Sequence, residues 1–367
     1  MQQAQSLTPQ TNLVRTSNKA DFGGQPPIAV DWQTAMKRAI RSGQVLRETL
    51  GLPPLSAKAE NTADDTISLG EAVSTRNSIP DFPTFVPLEF LSRIQPGRLD
   101  DPLLRQVLPV ADEFNSVDGF GSDPVGDLAA MPTAGVLHKY DGRALVIATG
   151  ACGVHCRYCF RREFPYSDAG NAKESYRKVL QYIRDTPTID EVLLSGGDPL
   201  TLVDEKLFDL ISQIESIPHV QRLRFHSRMP IVIPQRVTTE LVDRLKQSRL
   251  TVWFVIHMNH AQEWDTSVSQ AIAKLIDAGI PVLNQAVLLR GVNESVDALA
   301  ELSQTLINHR VQPYYLHQLD RVQGAAHFEV PVSVGLQLIE QLRSRLPGYA
   351  VPTYVRECEG ELSKSVL

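Results

Sequence analysis

From Ala144 onward, six short β-branched runs alternate with helical stretches, and a cluster of polar residues follows each run. Together these predict an α/β fold: a partial (β/α)6 TIM-like barrel preceded by a mostly helical N-terminal extension. The strand runs, at 144–149, 191–194, 221–226, 251–257, 282–288 and 311–316, are nearly continuous in apolar residues. That is the pattern of a parallel sheet covered by helices. The covering helices are expected at 173–184, 205–215, 239–247, 267–277, 296–308 and 333–345.

The polar clusters locate function. Past the first strand comes a loop carrying Cys152, Cys156 and Cys159, and past the second comes Ser195-Gly196-Gly197-Asp198. The third strand ends in His226-Ser227-Arg228 and the fourth in His257-Met258-Asn259-His260. The fifth carries Asn284-Gln285, and the sixth leads to His317-Gln318-Leu319-Asp320. In a βα barrel the carboxyl ends of the strands form one face, where the loops build the active site. A single cluster of this kind is ordinarily a turn or a cap; six in succession point to one cavity.

The rest of the chain divides around this barrel. Residues 1–30 are rich in Gln, Asn, Pro and Gly and are expected to be a disordered tail. Residues 31–130 read as a helical region, with one amphipathic helix over 32–50 and short helical signals at 87–94 and 101–108. A Ser/Thr/Asp-rich linker is expected near 55–80. The barrel is expected over 131–346, and a C-terminal segment over 347–367.

Bulk properties exclude several classes of function. A chain of 367 residues, 43% hydrophobic and 21% charged, can bury a sizeable core. A net charge of −6 argues against a surface built to grip nucleic acid. The polar N-terminus lacks the apolar core of a signal peptide, and no apolar run is long enough to cross a bilayer. The expectation is a cytoplasmic protein that engages neither nucleic acid nor membrane.

Three of the four cysteines fall within eight residues, spaced Cys-x3-Cys-x2-Cys, in Cys152-Gly-Val-His-Cys156-Arg-Tyr-Cys159. Such a loop can point three thiolates at one metal centre and supplies no fourth. Two readings follow. One is a four-iron cluster with one iron open to a ligand, unlike electron carriers that close all four positions with Cys. The other is structural zinc, completed by His155 or the distant Cys358. A disulfide is the weaker reading in a chain that lacks a secretion signal. Cys358 is otherwise expected to be a buried free thiol.

Longer matches carry a resemblance. The stretches Cys156-Arg-Tyr-Cys159-Phe-Arg161-Arg162, Leu194-Ser-Gly-Gly-Asp-Pro-Leu200, His226-Ser-Arg-Met-Pro-Ile-Val-Ile-Pro-Gln-Arg236, Asn284-Gln-Ala-Val-Leu-Leu-Arg-Gly-Val-Asn293 and Tyr314-Tyr-Leu-His-Gln-Leu-Asp320 resemble the radical S-adenosylmethionine lysine 2,3-aminomutase family. The likeness runs from about residue 100 to the end. Asp101-Pro-Leu-Leu-Arg-Gln-Val-Leu108 and Gln323-Gly-Ala-Ala-His-Phe328 bring it nearest to the elongation factor P (R)-β-lysylation branch.

The resemblance implies that Cys152, Cys156 and Cys159 hold a [4Fe–4S] cluster whose open iron binds S-adenosyl-L-methionine, the source of a 5′-deoxyadenosyl radical. It implies cofactor contacts at Ser195, Gly196, Gly197, Asp198, Ser227, His257 and Gln285. It also implies pyridoxal 5′-phosphate, with Lys364 as the Schiff-base lysine and Lys139, Tyr140 and Arg143 around the phosphate. Arg161 would clamp the substrate carboxylate, a task suited to a guanidinium fork, and Asp320 and Glu357 would hold the substrate's ε-ammonium. Three positions depart from some relatives: Lys139 and Glu357 stand where those have Arg and Asp, and His317 where they can have Tyr.

The implied activity is conversion of L-lysine to (R)-β-lysine. The implied partners are a flavodoxin- or ferredoxin-type electron donor, a β-lysine ligase and elongation factor P, with homo-oligomerisation left open. Two rivals are the same chemistry serving free β-lysine or another amino acid, and a non-catalytic iron–sulfur protein.

Overall fold

The computed structural model describes residues 30–53, 82–166 and 173–367. The expected disordered tail and the linker near 55–80 lie outside the described residues, apart from Val30 at the tail's edge.

A single nine-stranded sheet runs in chain order. Its strands are β1 (Val136–Tyr140), β2 (Arg143–Thr149), β3 (Glu191–Gly196), β4 (Arg222–Ser227), β5 (Thr251–His257), β6 (Val282–Val287), β7 (Gln312–His317), β8 (Thr353–Arg356) and β9 (Ser365–Val366). β2 to β8 are parallel throughout, so the six expected strands are all present. β8 adds a seventh parallel strand, and β1 and β9 fold back antiparallel at the two ends. Sequential order with parallel neighbours follows from the helices between them, since each parallel pairing needs a crossover.

The crossover helices are α5 (Lys173–Arg184), α6 (Asp204–Glu215), α8 (Thr239–Lys246), α9 (Thr266–Asp277), α10 (Val296–Asn308) and α11 (Val332–Arg345), with a one-turn α7 (Met229–Val232) at the end of β4. Their starts carry side-chain caps where the sequence offers them: Thr238 accepts from the Leu241 amide, Asp265 from Val268 and Ser295 from Ala298. Each cap satisfies an amide that the first turn leaves unbonded. Phe225 and Phe254, paired across β4 and β5, stack with centroids 4.9 Å apart, so neighbouring strands pack through aromatic faces.

The N-terminal region contributes α1 (Trp32–Lys37), α2 (Gly43–Thr49), α3 (Leu88–Leu91) and α4 (Pro102–Arg105). The single helix expected over 32–50 is two. Ile40 leaves the helix to exchange backbone hydrogen bonds with Val86, and Ser42 recaps α2. Trp32, Leu46, Phe90 and Leu103 belong to the same buried cluster as the barrel residues Val192, Phe225 and Leu316. The extension and barrel therefore share one core.

The sheet does not close by hydrogen bonds between β1 and β9. Side chains span the gap instead: Lys139 on β1 reaches Glu357, just past β8, at 2.9 Å. The sheet is rolled far enough to bring its two ends to one ion pair, which makes it a partial barrel. Among the described residues no helix is long and apolar enough to cross a membrane.

Candidate active site

The carboxyl ends of the parallel strands meet in one region, and the cysteine loop after β2 forms one wall. Its backbone is fixed from behind by the N-terminal extension. The His155 amide donates to the Phe85 carbonyl (3.0 Å) and the Arg157 amide to the Gln106 carbonyl (2.9 Å). Arg157, 1% exposed, engages Glu113 through two nitrogens, and Arg162 donates to the same carboxylate at 2.8 Å. Two buried guanidiniums on one acid offset a desolvation cost that neither could carry alone.

The loop brings its three thiols within electrostatic reach of one another. Burial, then Cys159 and Asp198, lift the Cys152 thiol well above its usual range, and burial, then Cys156, push Cys159 up to about 11. Crowded, buried thiols give up their protons when a metal shares the site, so this donor set fits an iron–sulfur cluster. The His155 Nδ1 lies 2.8 Å from the Pro83 carbonyl oxygen, and its ring packs beside Phe82 and Phe85. Cys358, expected to be buried, is half-exposed in the turn between β8 and β9.

The glycines after β3 have a local reason. Gly196 takes φ +109°, and a Cβ on Gly197 would lie 2.2 Å from the Ala151 carbonyl oxygen. Only glycine lets the end of β3 lie against the cysteine loop. Asp198 then ties β3 to β4. It accepts from Ser227 Oγ (2.8 Å) and from the amides of Leu200, Arg228 and Met229. Burial outweighs these bonds and raises its carboxyl to about 6. Asp198 and Ser227 are thus bonded to each other and buried together.

Three strand ends carry histidines whose Nε2 atoms are buried without a hydrogen-bond partner among the described residues: His226 on β4, His257 on β5 and His317 on β7. Burial lowers all three, His257 to about 4 with Arg228 and Arg161 adding to the effect. Neutral imidazoles with unsatisfied edges fit a site shaped for a bound molecule, since an unmet buried polar atom costs about 1–3 kcal/mol. Gln285 on β6 pairs in register with His257.

A line of alternating charge connects the far end of the sheet to Arg161, two residues past Cys159. Lys364 contacts Glu357 Oε2, and Glu357 Oε1 accepts from Lys139 at 2.9 Å. Lys139 is also 2.6 Å from Asp127 Oδ1 and donates to the Val125 carbonyl, and Asp127 Oδ2 accepts from Arg161 Nε at 2.7 Å. The β8–β9 register, Val355 with Val366 and Arg356 with Ser365, sets Glu357 across from Lys364 at the next step. Burial would raise the Glu357 carboxyl, but Lys364 and Lys139 outweigh it and hold it at about 2. Asp320 behaves oppositely: burial, then Glu357, push it up to about 7.

Lys139, expected beside a phosphate, thus has both carboxylates and a carbonyl as partners here. Arg143 lies over the Tyr140 ring at 4.4 Å. Burial, then Glu357, raise the Tyr140 hydroxyl and keep it protonated.

Sequence reasoning missed Asp127 and Glu113, isolated acids whose arginine partners lie 34 or more residues away. It also missed Glu263, which sits in the short 3-10 turn after β5.

With this geometry in view, comparison with known proteins is decisive. A family described as "Radical SAM superfamily" matches residues 146–303. A protein named L-lysine 2,3-aminomutase from Escherichia coli (strain K12) is 48% identical over 77% of this chain and 82% of its own. One of the same name from Haemophilus influenzae is 40% identical over 92% and 95%. A third, from Clostridium subterminale, is 38% identical over 90% and 76%. The chain belongs to the lysine 2,3-aminomutase family of radical S-adenosylmethionine isomerases. Membership carries a [4Fe–4S] cluster and S-adenosylmethionine, and the loop holding Cys152, Cys156 and Cys159 has the donor set for them.

Proposed function

We propose that the chain converts L-α-lysine to (R)-β-lysine with the cluster, S-adenosylmethionine and pyridoxal 5′-phosphate, and that the product serves β-lysylation of elongation factor P. The observation that carries this reading is the charge line Lys364–Glu357–Lys139–Asp127–Arg161, which runs from the last strand to the cysteine loop. Arg161 at one end of this line, and Glu357 with the nearby Asp320 toward the other, match a molecule with a carboxylate at one end and an ammonium at the other.

When bound, S-adenosylmethionine on the cluster supplies a radical able to take hydrogen from an unactivated carbon, and pyridoxal phosphate supplies a carbonyl and a π-system that spreads the unpaired electron. The chain's own residues orient and exclude. Arg161 holds the substrate carboxylate, its fork set by Asp127. Glu357 and Asp320 hold the ε-ammonium, and paired acids there penalise an acidic side chain. Neutral His257, with Ser227, Gln285 and the Ser195–Asp198 turn, lines the cofactor without repelling a sulfonium cation. Lys364 supplies the amine that holds pyridoxal phosphate, with Tyr140 and Arg143 at its phosphate. The Lys139–Glu357 pair is one that the substrate ammonium can replace, which leaves Lys139 on Asp127 with a donor free for the phosphate.

A low-potential flavodoxin- or ferredoxin-type carrier supplies the electron, and a separate ligase consumes the product in the cytoplasm. The test is anaerobic reconstitution with S-adenosylmethionine, pyridoxal phosphate, reductant and L-lysine. β-Lysine should form, and a pyridoxal absorbance band present in the wild type should vanish in Lys364→Ala. Turnover of another amino acid in place of lysine would sink the substrate assignment. Failure of the ligase and elongation factor P to accept the product would sink the translational role.

A further inference from the structure

Behind the cysteine loop lies a buried polar network that the proposed reaction does not use. Arg228, at the end of β4, points away from the charge line. Its Nη1 lies 2.7 Å from Cys156 Sγ and 2.8 Å from the Tyr158 hydroxyl. Its Nη2 donates to Gln106 Oε1 (2.6 Å) and to Glu263 Oε2 (3.0 Å). Glu263 is fully buried, and its other oxygen accepts from the Asn259 amide (2.9 Å) and Gln106 Nε2 (3.2 Å). Arg228 itself is held by Asp198, which accepts its backbone amide at 2.7 Å. A cation, its counter-charge and a thiol thus form a fixed line in the interior.

We infer that Arg228 and Glu263 set the reduction potential of the iron–sulfur cluster through Cys156. The inference rests on the reading that Cys156 is a cluster ligand. Reduction moves one electron from an external low-potential flavin or iron–sulfur carrier onto the cluster. The carrier is oxidised by one electron, [4Fe–4S]2+ becomes [4Fe–4S]1+, and no proton is taken up. The change adds one negative charge to a centre already bearing three thiolates. A guanidinium at a ligating sulfur stabilises that added charge, and the interior screens it weakly. Glu263 opposes the effect by compensating part of the guanidinium charge. Outer-shell groups of this kind tune metal centres as strongly as they orient ligands.

The two members of the pair therefore act with opposite sign, which a merely structural role would not produce. The experiment is an anaerobic redox titration of the reconstituted full chain without S-adenosylmethionine, reading the spin signal of the reduced cluster. Arg228→Gln should disfavour reduction by about tenfold or more, a fall of ~59 mV or more for one electron. Arg228→Lys, which keeps the charge, should stay nearer the wild type. Glu263→Gln should shift the potential upward.

Equal potentials in all four proteins, or shifts of the same sign in Arg228→Gln and Glu263→Gln, would overturn the inference. If Arg228→Gln holds no cluster, Glu263→Gln decides alone: a rise supports the inference, and a fall or no change overturns it. Full iron and sulfide content in Cys156→Ala would instead overturn the ligand reading beneath it.

Discussion

Lys364 rests on Glu357, seven residues earlier, across the turn that joins the last two strands. The same carboxylate holds Lys139 from the opposite end of the sheet, so one acid ties the two ends of the sheet and holds the amine proposed to carry pyridoxal phosphate.

Replacing Glu357 with Gln should loosen both lysines and remove half of the acid pair proposed to hold the substrate ammonium. Charge-assisted hydrogen bonds contribute about 1.5–3 kcal/mol, so KM for L-lysine should rise by about 10- to 100-fold. Initial rates across lysine concentration would show it, and an unchanged KM would exclude Glu357 from substrate binding.

Asp320 should trade stability for function. Its folded pKa of about 7 lies above the ordinary 3.8, so the folded protein binds the extra proton between those values. Its contribution to stability is fully present below about 4 and is lost as pH rises through 7. Asp320→Asn should therefore stabilise the cofactor-free protein at pH 8 by about 1–3 kcal/mol while lysine turnover collapses. Thermal unfolding at pH 5 and pH 8 tests the first half; equal gains at both pH values would contradict it.

Asp127 lies between two cations and is 2% exposed. Asp127→Asn leaves Arg161 and Lys139 facing each other with their shared anion gone. The cost should be about 3–5 kcal/mol, seen as a lowered midpoint in urea unfolding. Asp127→Glu, which keeps the charge, should recover part of it.

Gly197→Ala should damage the cysteine loop itself. The added methyl meets the Ala151 carbonyl oxygen and carbon, which are backbone and cannot rotate away. Overpacking of this kind costs about 1–3 kcal/mol, and the reconstituted iron content should fall below that of the wild type. Normal iron content in the variant would show that the loop tolerates the displacement.

The fold was largely legible because its signals are local. Runs such as Val282–Val287 declare a covered strand by composition, and helix starts at Thr238, Asp265 and Ser295 are capped as their side chains predict. The break at Ile40 was not legible, because it depends on a strand-like pairing with Val86, far along the chain. β8 was missed for a similar reason: at four residues, its run is too short to announce itself.

In the candidate site, residues inside contiguous motifs could be singled out from the sequence, and those defined by distant partners could not. Asp127 acquires meaning only from Arg161 and Lys139. Glu263 acquires it from Arg228, 35 positions away. Asp198 and the two glycines were visible as a turn, but their contacts with Ser227 and Ala151 could come only from the rolled sheet.

The back of the cysteine loop is assembled from three separate stretches of chain. Gln106 meets Glu263 across 157 positions and Arg228 across 122. Contacts that span so much sequence form late, after the intervening chain has been ordered. A nascent chain that has emerged only as far as the cysteines exposes them without their supporting wall. That wall exists only once β5 and the turn after it have been synthesised and folded. The cysteine loop therefore gains its supporting wall only in the folded barrel.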